Sequence, residues 1–301
     1  MPDSKALKLF RCQELLSLYD DGKLNDVLEQ YRRTFRDRNL LGRGGDSSAF
    51  RYGEDQVLKI CPKSINYFKH TDHHSAEKFK EHINSLSIFF LPIREILHEN
   101  DDFFIYTQDM CRVLSNSTLS PFVVISVFQI IQYFLKTDIL MTDLAPRNVG
   151  IRNGLVVLFD YHGLRPLRQF NDSARKNGWW TRIVRNLTRF ISYLYAPDRA
   201  SAYGLMMQTC TPDNIAKLKS EGHLPNAFID LLYYLQKNNR LARLSVISEY
   251  LEKCIGEIMK GANLTEQQER RIDEVRKYCT LTVKPYFFAS SNAVENGKDS
   301  D

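Results

Sequence analysis

TDLAPRNVGIRNGLVVLFDYHG, residues 142–163, places one aspartate, Asp143, five residues before an asparagine, Asn148. The Asn153–Gly154 pair lies between two apolar runs, which is typical of a β-hairpin with a two-residue turn. The second run ends at another aspartate, Asp160. Phosphoryl transfer needs one carboxylate to orient a hydroxyl, and a second carboxylate with an amide oxygen to hold Mg²⁺. The stretch therefore predicts a site for phosphoryl transfer.

Composition leaves the fold class open but restricts the kind of protein. The 301 residues are 43% hydrophobic, which suits one large two-lobed domain or two small ones. A formal net charge of +5 favours anionic ligands such as nucleotides and is too small to indicate nucleic-acid binding. We therefore expect no specific nucleic-acid partner.

Targeting signals and cysteine spacing predict where the chain works. Its first residues mix charges among apolar side chains and lack a signal-peptide pattern. The longest apolar run, residues 122–135, is too short to span a bilayer. The six cysteines are scattered without a C-x-x-C pair, which favours reduced thiols. We expect an intracellular, cytoplasmic protein without a membrane partner.

Hydrophobic periodicity predicts an α+β chain whose strands are concentrated in its first half. The expected parts are a helical extension (1–37), a small β-rich region with one main helix (38–110), a mostly helical region (111–284) and a disordered tail (285–301). In the β-rich region, a three-stranded meander precedes a helix over residues 75–86, and a hairpin around residues 100–101 follows it. The later helices are predicted at 121–135, 179–195, 212–220, 226–237, 241–260 and 265–279.

Two motifs upstream of the hairpin favour nucleotide binding. The glycines of LGRGGDSSAF, Gly42, Gly44 and Gly45, would let backbone N–H groups approach phosphates closely, although alone they also fit a plain tight turn. Lys59 lies in QVLKI, where Leu58 and Ile60 point to the opposite face of a strand. Lys59 is therefore predicted to line a cleft or to face solvent.

In these motifs the chain resembles the protein-kinase-like superfamily, from about residue 40 to the late helices. The resemblance is to protein kinases of large DNA viruses, of the iridovirus type, more than to cellular enzymes. A glycine loop, a strand lysine, a helix glutamate, a catalytic-loop Asp and Asn, and a metal Asp occur in the order of that family. The resemblance implies a small β-rich N-lobe, a larger helical C-lobe, and ATP and Mg²⁺ as cofactors. If the chain is viral, the implied location is the host cytoplasm.

The resemblance also implies a role for each matching residue. Asp143 is expected to orient the acceptor hydroxyl, and Arg147 to stabilise the phosphoryl charge. Asn148 and Asp160 are expected to bind the metal. The expected nucleotide contacts are Gly42, Gly44, Gly45, Lys59 with its helix partner Glu77 (alternatively Glu81), and the backbone near Asp109 and Cys111.

Several positions depart from the family pattern. Met141 and Thr142 replace the His and Arg that usually precede the catalytic aspartate, and His162 replaces the usual glycine after the metal aspartate. These changes predict unusual regulation and less switching of the metal-binding segment. The Ala-Pro-Asp sequence ending at Asp198 resembles a family motif but lies 38 residues after Asp160, so we interpret it as coincidence. We therefore expect an unusual peptide-docking segment.

Two other clusters have simpler interpretations. Basic residues around Trp179 and Trp180 could bind an acidic peptide, a phosphorylated partner or nucleic acid. A solvated helix face over a buried aromatic pair is the interpretation that we favour. His70, Asp72, His73 and His74 could bind a metal but fit a polar loop better.

The sequence thus predicts a phosphotransferase that moves the γ-phosphate of ATP to a protein hydroxyl. Two alternatives stay open: a catalytically weak kinase-like scaffold, and a kinase of a small molecule. The altered glycine loop, Thr142 and His162 favour the scaffold, whereas intact Lys59, Asp143, Asn148 and Asp160 favour the enzyme. The unusual peptide-docking segment motivates the small-molecule alternative.

Overall fold

Five antiparallel strands form the sheet of the first of two compact units. In this computed structural model the described residues are 40–43, 48–52, 54–63, 75–101, 103–114, 119–137, 139–141, 144–161, 164–166, 173–238 and 243–280. The first unit holds the described residues up to Met110, except Ile88–Phe90, which belong to the second. Its strands are β1 (Leu40–Arg43), β2 (Ser48–Tyr52), β3 (Gln56–Pro62), β4 (Ile93–Glu99) and β5 (Phe103–Asp109), in the order β1-β2-β3-β5-β4.

Alternation along β3 and β5 gives the sheet two apolar faces. Leu58, Phe103 and Ile105 belong to a buried cluster on one face. On the other face, Phe104 meets Phe79 of helix α1 (Ala76–Ser85) edge-on, with ring centroids 5.5 Å apart. All seven residues of β5 are buried, because both faces of this strand are covered.

Helix α1 lies between β3 and β4 in the chain, and polar contacts tie both of its ends. Ser75 caps it, since the Ser75 side chain accepts a hydrogen bond from the Lys78 N–H. The Glu99 carboxylate of β4 accepts a hydrogen bond from the Ala76 N–H at 2.8 Å, which places a negative charge at the positive end of the helix. At its C-terminal end, the Asn84 amide bonds both the N–H and the C=O of Ile93, at 2.8 Å each.

The second unit is mainly helical and is organised around α2 (Pro121–Lys136). Ser120 caps α2 and Pro121 occupies its first turn, where a missing N–H costs nothing. Residues 122–135 are all buried. The other helices are α3 (Ser173–Tyr195), α4 (Ala200–Met206), α5 (Pro212–Glu221), α6 (Asn226–Asn238), α7 (Leu244–Lys260) and α8 (Glu266–Thr280).

Among the described residues of this helical unit, five short strands interrupt the helices. The hairpin β8 (Val149–Arg152) and β9 (Leu155–Leu158) turns at Asn153 and Gly154, whose φ angles of 51° and 76° match a type I′ turn. The short strand β6 (Arg112–Val113) pairs with β8. Strands β7 (Ile139–Met141) and β10 (Leu164–Pro166) form a separate antiparallel pair.

The coarse sequence predictions are confirmed: the chain is α+β, with a small antiparallel sheet region followed by a larger helical part. The meander, both hairpins and each of the six predicted later helices are present, with α3 starting at Ser173 rather than near 179. Sequence reasoning missed β6, β7, β10 and α4. The N-terminal extension, the tail and the His70–His74 loop lie outside the described residues.

Two further predictions concern thiols and membranes. The cysteines at positions 61, 111, 210, 254 and 279 are free thiols, and Cys12 lies outside the described residues. Over the described part of the chain, no helix has the length and apolar character needed to cross a membrane.

Candidate active site

Lys59 occupies the middle of β3 and points to the face of the sheet that packs against α1. Its neighbours Leu58 and Ile60 lie in the apolar cluster on the other face, as the alternation predicts. Lys59 is directly opposite Tyr106 of β5 and is only 7% exposed. A lysine buried to this extent is unusual, because its ammonium group must be compensated.

Glu77, the predicted partner of Lys59, lies in the first turn of α1. Its side chain is 58% exposed, and its carboxylate is 3.2 Å from the Lys80 ammonium group. Glu81, the alternative partner, is also exposed. The pairing of Lys59 with either glutamate therefore stays a prediction.

Asp109 ends β5, where the backbone was predicted to hold adenine. Its buried carboxylate accepts a hydrogen bond from the Arg94 Nε–H, with Nε 2.7 Å from Oδ1, and forms an ion pair with Arg94, whose terminal nitrogen lies 2.6 Å from Oδ2. This contact raises the pKa of the Arg94 guanidinium above its ordinary value, chiefly through the hydrogen bond to Asp109. Arg94 was missed by sequence reasoning, and it lies at an irregularity of the β4–β5 register, between Ile93 and Glu95.

A backbone contact fixes the end of β5 from the side of β3. The Met110 N–H donates a hydrogen bond to the Asp55 C=O at 2.7 Å. Hydrogen-bonded and non-hydrogen-bonded pairs alternate in an antiparallel ladder. Asp109, one residue earlier and opposite Gln56, therefore directs its N–H and C=O away from β3.

The remaining predicted nucleotide contacts are only partly described. Gly42 lies in β1 at an irregularity of the β1–β2 register, and Gly44 and Gly45 lie outside the described residues. Cys111 is half-buried, and a Cβ added to Gly150 would come within 2.5 Å of its sulfur. Gly150 therefore provides the close approach that brings the Cys111 segment against β8.

A backbone hydrogen bond joins the segments that carry the predicted metal ligands Asn148 and Asp160. Asn148 ends a 3₁₀ turn (Pro146–Asn148), is 6% exposed, and donates its N–H to the Ala145 C=O at 2.8 Å. The Asn148 C=O accepts a hydrogen bond from the Phe159 N–H at 3.3 Å. Asp160 follows Phe159 directly, so the amide and the carboxylate emerge from adjacent, bonded segments.

The β7–β10 pair holds both ends of the segment that carries these residues. Met141 lies directly opposite Leu164, so the two residues that flank the segment 142–163 are adjacent. Asp143 follows Met141 by two residues and lies outside the described residues, as do Thr142 and His162. The strand pair thus anchors the segment at both ends, and the predicted catalytic aspartate itself lies outside the described residues.

Arg147 and a small cavity lie near the turn that carries Asn148. Arg147 is exposed on the 3₁₀ turn. The cavity, of about 20 Å³, is bordered by Met141, Leu144 and Asn186 among others. It has room for one water molecule and none for a nucleotide, so it belongs to the support of the loop.

The donors at Asn148 and Asp160 suit magnesium. An amide oxygen and a carboxylate are hard oxygen ligands, and Mg²⁺ characteristically takes one or two such protein ligands together with water and phosphate. Within the described ranges, no group of three or more His, Cys, Asp or Glu side chains forms a metal-binding cluster. The amide and carboxylate at these two positions fit a magnesium ion shared with phosphate.

Comparisons with protein-family models and with curated proteins find no match for this chain.

Proposed function

We propose that the chain is an ATP- and Mg²⁺-dependent phosphotransferase of kinase-like fold that transfers the γ-phosphate to a protein hydroxyl. The observation that carries this proposal is the hydrogen bond between the Phe159 N–H and the Asn148 C=O. It joins the segment of Asn148 to the residue before Asp160, and this amide and this carboxylate are the oxygen donors that we propose for the metal. Such a pair of oxygen donors is what a phosphate-bound Mg²⁺ requires.

The first unit supports the same proposal through its topology. The small antiparallel sheet, with one helix between β3 and β4, fits the β-rich N-lobe with one main helix that the resemblance implies. The lysine of β3 is buried on the face that carries this helix. A lysine ammonium group is a common ligand of phosphate oxygens.

The residues have separate tasks in the proposed reaction. Lys59 binds phosphate oxygens of ATP, and Asn148 and Asp160 hold Mg²⁺, which neutralises charge on the phosphates when it is bound. Asp143 orients the acceptor hydroxyl and receives its proton. Arg147, exposed on the turn beside Asn148, stabilises charge on the transferring group.

Phosphate transfer from γ-labelled ATP to generic protein acceptors tests the proposal. We expect Asp143→Ala, Asn148→Ala and Asp160→Ala to lower labelling by at least about 100-fold, as for loss of a transition-state contact. Asp198→Ala is the matched control, because Asp198 is an exposed aspartate whose motif we interpret as coincidence. Equal labelling by wild type and all variants would refute the assignment. Thermal unfolding of each variant separates lost chemistry from lost folding.

One observation favours the alternative of a catalytically weak scaffold. Glu77 is exposed and paired with Lys80, away from the role expected of the helix glutamate. Thermal-shift titration with ATP separates the two functions, because a ligand that binds the native state raises its stability. Stabilisation that depends on Mg²⁺ supports the enzyme, and none with ATP or with Mg²⁺–ATP supports the scaffold.

A further inference from the structure

Gln108 of β5 is a buried amide whose two polar atoms have no hydrogen-bond partner. The residue is 1% exposed, and among the described residues neither its Nε2 nor its Oε1 finds a partner. Burying an unsatisfied amide costs about 1–3 kcal/mol per group in proteins, so native structures contain few. Such a group needs an explanation.

Other buried glutamines in the chain show how unusual this is. Gln129 donates its side-chain N–H to the Ile272 C=O at 2.8 Å, and Gln132 donates to the Ser248 C=O at 3.0 Å. Both therefore pair their donor and link α2 to neighbouring helices. Gln108 makes no comparable link.

The position of Gln108 suggests what its amide is for. Gln108 lies opposite Val57 of β3. Two residues further along β3, Lys59 lies opposite Tyr106, which is two residues before Gln108 in β5. The side chains of two residues that lie directly opposite each other on neighbouring strands share a face of the sheet, and so do those of residues two apart along one strand. Gln108 thus lies on the same face as Lys59 and immediately precedes Asp109, whose C=O points away from β3.

We propose that Gln108 is a specificity-determining residue that recognises the adenine base of the nucleotide. This inference rests on the proposed function, in which the backbone near Asp109 holds one edge of the base. The edge of the base that Gln108 would contact carries N7 and the substituent on C6. A glutamine amide is complementary to this edge of adenine, because Oε1 accepts a hydrogen bond from N6–H and Nε2 donates one to N7. Guanine offers two acceptors at this edge and leaves Oε1 unpaired. Pyrimidines have no N7.

The substitution Gln108→Met tests this role because methionine has similar length and no hydrogen-bonding amide. Dissociation constants for Mg²⁺–ATP and Mg²⁺–GTP are measured by thermal-shift titration on the full chain. We expect wild type to prefer ATP, and Gln108→Met to bind ATP about tenfold more weakly with little change for GTP. Without nucleotide, Gln108→Met should unfold about 2 °C higher, because an unpaired buried amide is removed.

Gln129→Met is the matched control, because it removes a buried amide whose donor is satisfied. It should lower the unfolding temperature and leave the ATP-to-GTP ratio unchanged. Lys59→Met reports on the proposed function itself and should weaken both nucleotides.

The outcomes separate the two hypotheses. If Lys59→Met loses binding while Gln108→Met keeps the wild-type ratio, the role of Gln108 is refuted and the proposed function survives. A wild type that binds GTP as tightly as ATP, or a Gln108→Met variant that unfolds earlier, also refutes that role. If neither nucleotide stabilises wild type, the proposed function fails and the inference fails with it.

Discussion

Helices α1 and α2 begin with the same capping contact but are held by different forces. Only three of the ten residues of α1 are buried, and its two ends are tied to β4 by Glu99 and Asn84. In α2 residues 122–135 are buried without interruption. Hydrogen bonds thus fix the two ends of α1, whereas α2 is held mainly by apolar packing along its whole length.

The difference matters for the proposed chemistry. Helix α1 carries Glu77, the predicted partner of Lys59, and a helix held by few contacts can be shifted at low cost. Helix α2 leads into β7 and then the loop of Asp143, and a densely packed helix gives that loop a rigid support. We infer that adjustment is concentrated at α1 and preorganisation at α2.

The largest expected effect is a loss of packing around α2. Phe128 is fully buried and its ring lies 6.4 Å from that of Phe228. Phe128→Ala should lower the free energy of unfolding by about 3–5 kcal/mol, because it removes apolar surface and leaves a cavity. Urea denaturation measures this, and a change below about 1 kcal/mol would contradict the account of α2 as a rigid core.

A smaller loss is expected from the polar attachment of α1. Asn84→Ala removes the amide that bonds the Ile93 N–H and C=O, and should cost about 2 kcal/mol because both groups lose a partner. Amide hydrogen exchange should rise mainly in α1 and at the start of β4. The control is Asn238→Ala, since that amide bonds the nearby Tyr234 C=O, four residues earlier in the same helix. Equal, global acceleration by both variants would argue against a local role for Asn84.

Alkaline pH should weaken the packing around α2 through two buried thiols. Burial raises the pKa of Cys254 and of Cys279 from 9.0 to about 12, and the Cys279 thiol donates a hydrogen bond to the Gln129 C=O of α2. Above pH 9 the unfolded chain loses these protons while the folded chain retains them, so stability falls as pH rises from 9 towards 12. Near pH 10 each thiol should cost about 1 kcal/mol.

Urea denaturation between pH 8 and pH 11 checks this dependence. Cys279→Ala should be less stable than wild type at pH 8 and should show a shallower loss above pH 9. Parallel pH profiles for the two proteins would contradict the assignment to this thiol.

The smallest effect compares the two capping serines directly. Ser75 accepts from the Lys78 N–H at 3.3 Å and Ser120 from the Val123 N–H at 3.4 Å. Either serine to alanine change should cost about 1 kcal/mol. Ser75→Ala should increase hydrogen exchange throughout α1, whereas Ser120→Ala should affect only the first turn of the buried helix. Similar exchange patterns in both helices would contradict the proposed difference in how α1 and α2 are held.

Local sequence signals identified most elements because their causes are local. The Asn153–Gly154 pair predicted its hairpin, since few other residues accept two consecutive positive φ angles. Apolar spacing predicted α1 and α2, because helical periodicity is also a local property of the sequence. The three-residue strands β7 and β10 were missed, because strands this short have no readable alternation and their partners are more than twenty residues apart.

The sequence by itself determined the α+β organisation, most helix positions and the order of the candidate chemical groups. These follow from periodicity, turn preferences and residue types, all of which act within a few residues. Only the tertiary structure decided that Arg94 fixes Asp109, that Phe159 joins Asn148 to the Asp160 segment, and that the Gln108 amide is buried without a partner. Such contacts depend on strand register and chain crossings, which bring distant residues together and leave no local trace in the sequence.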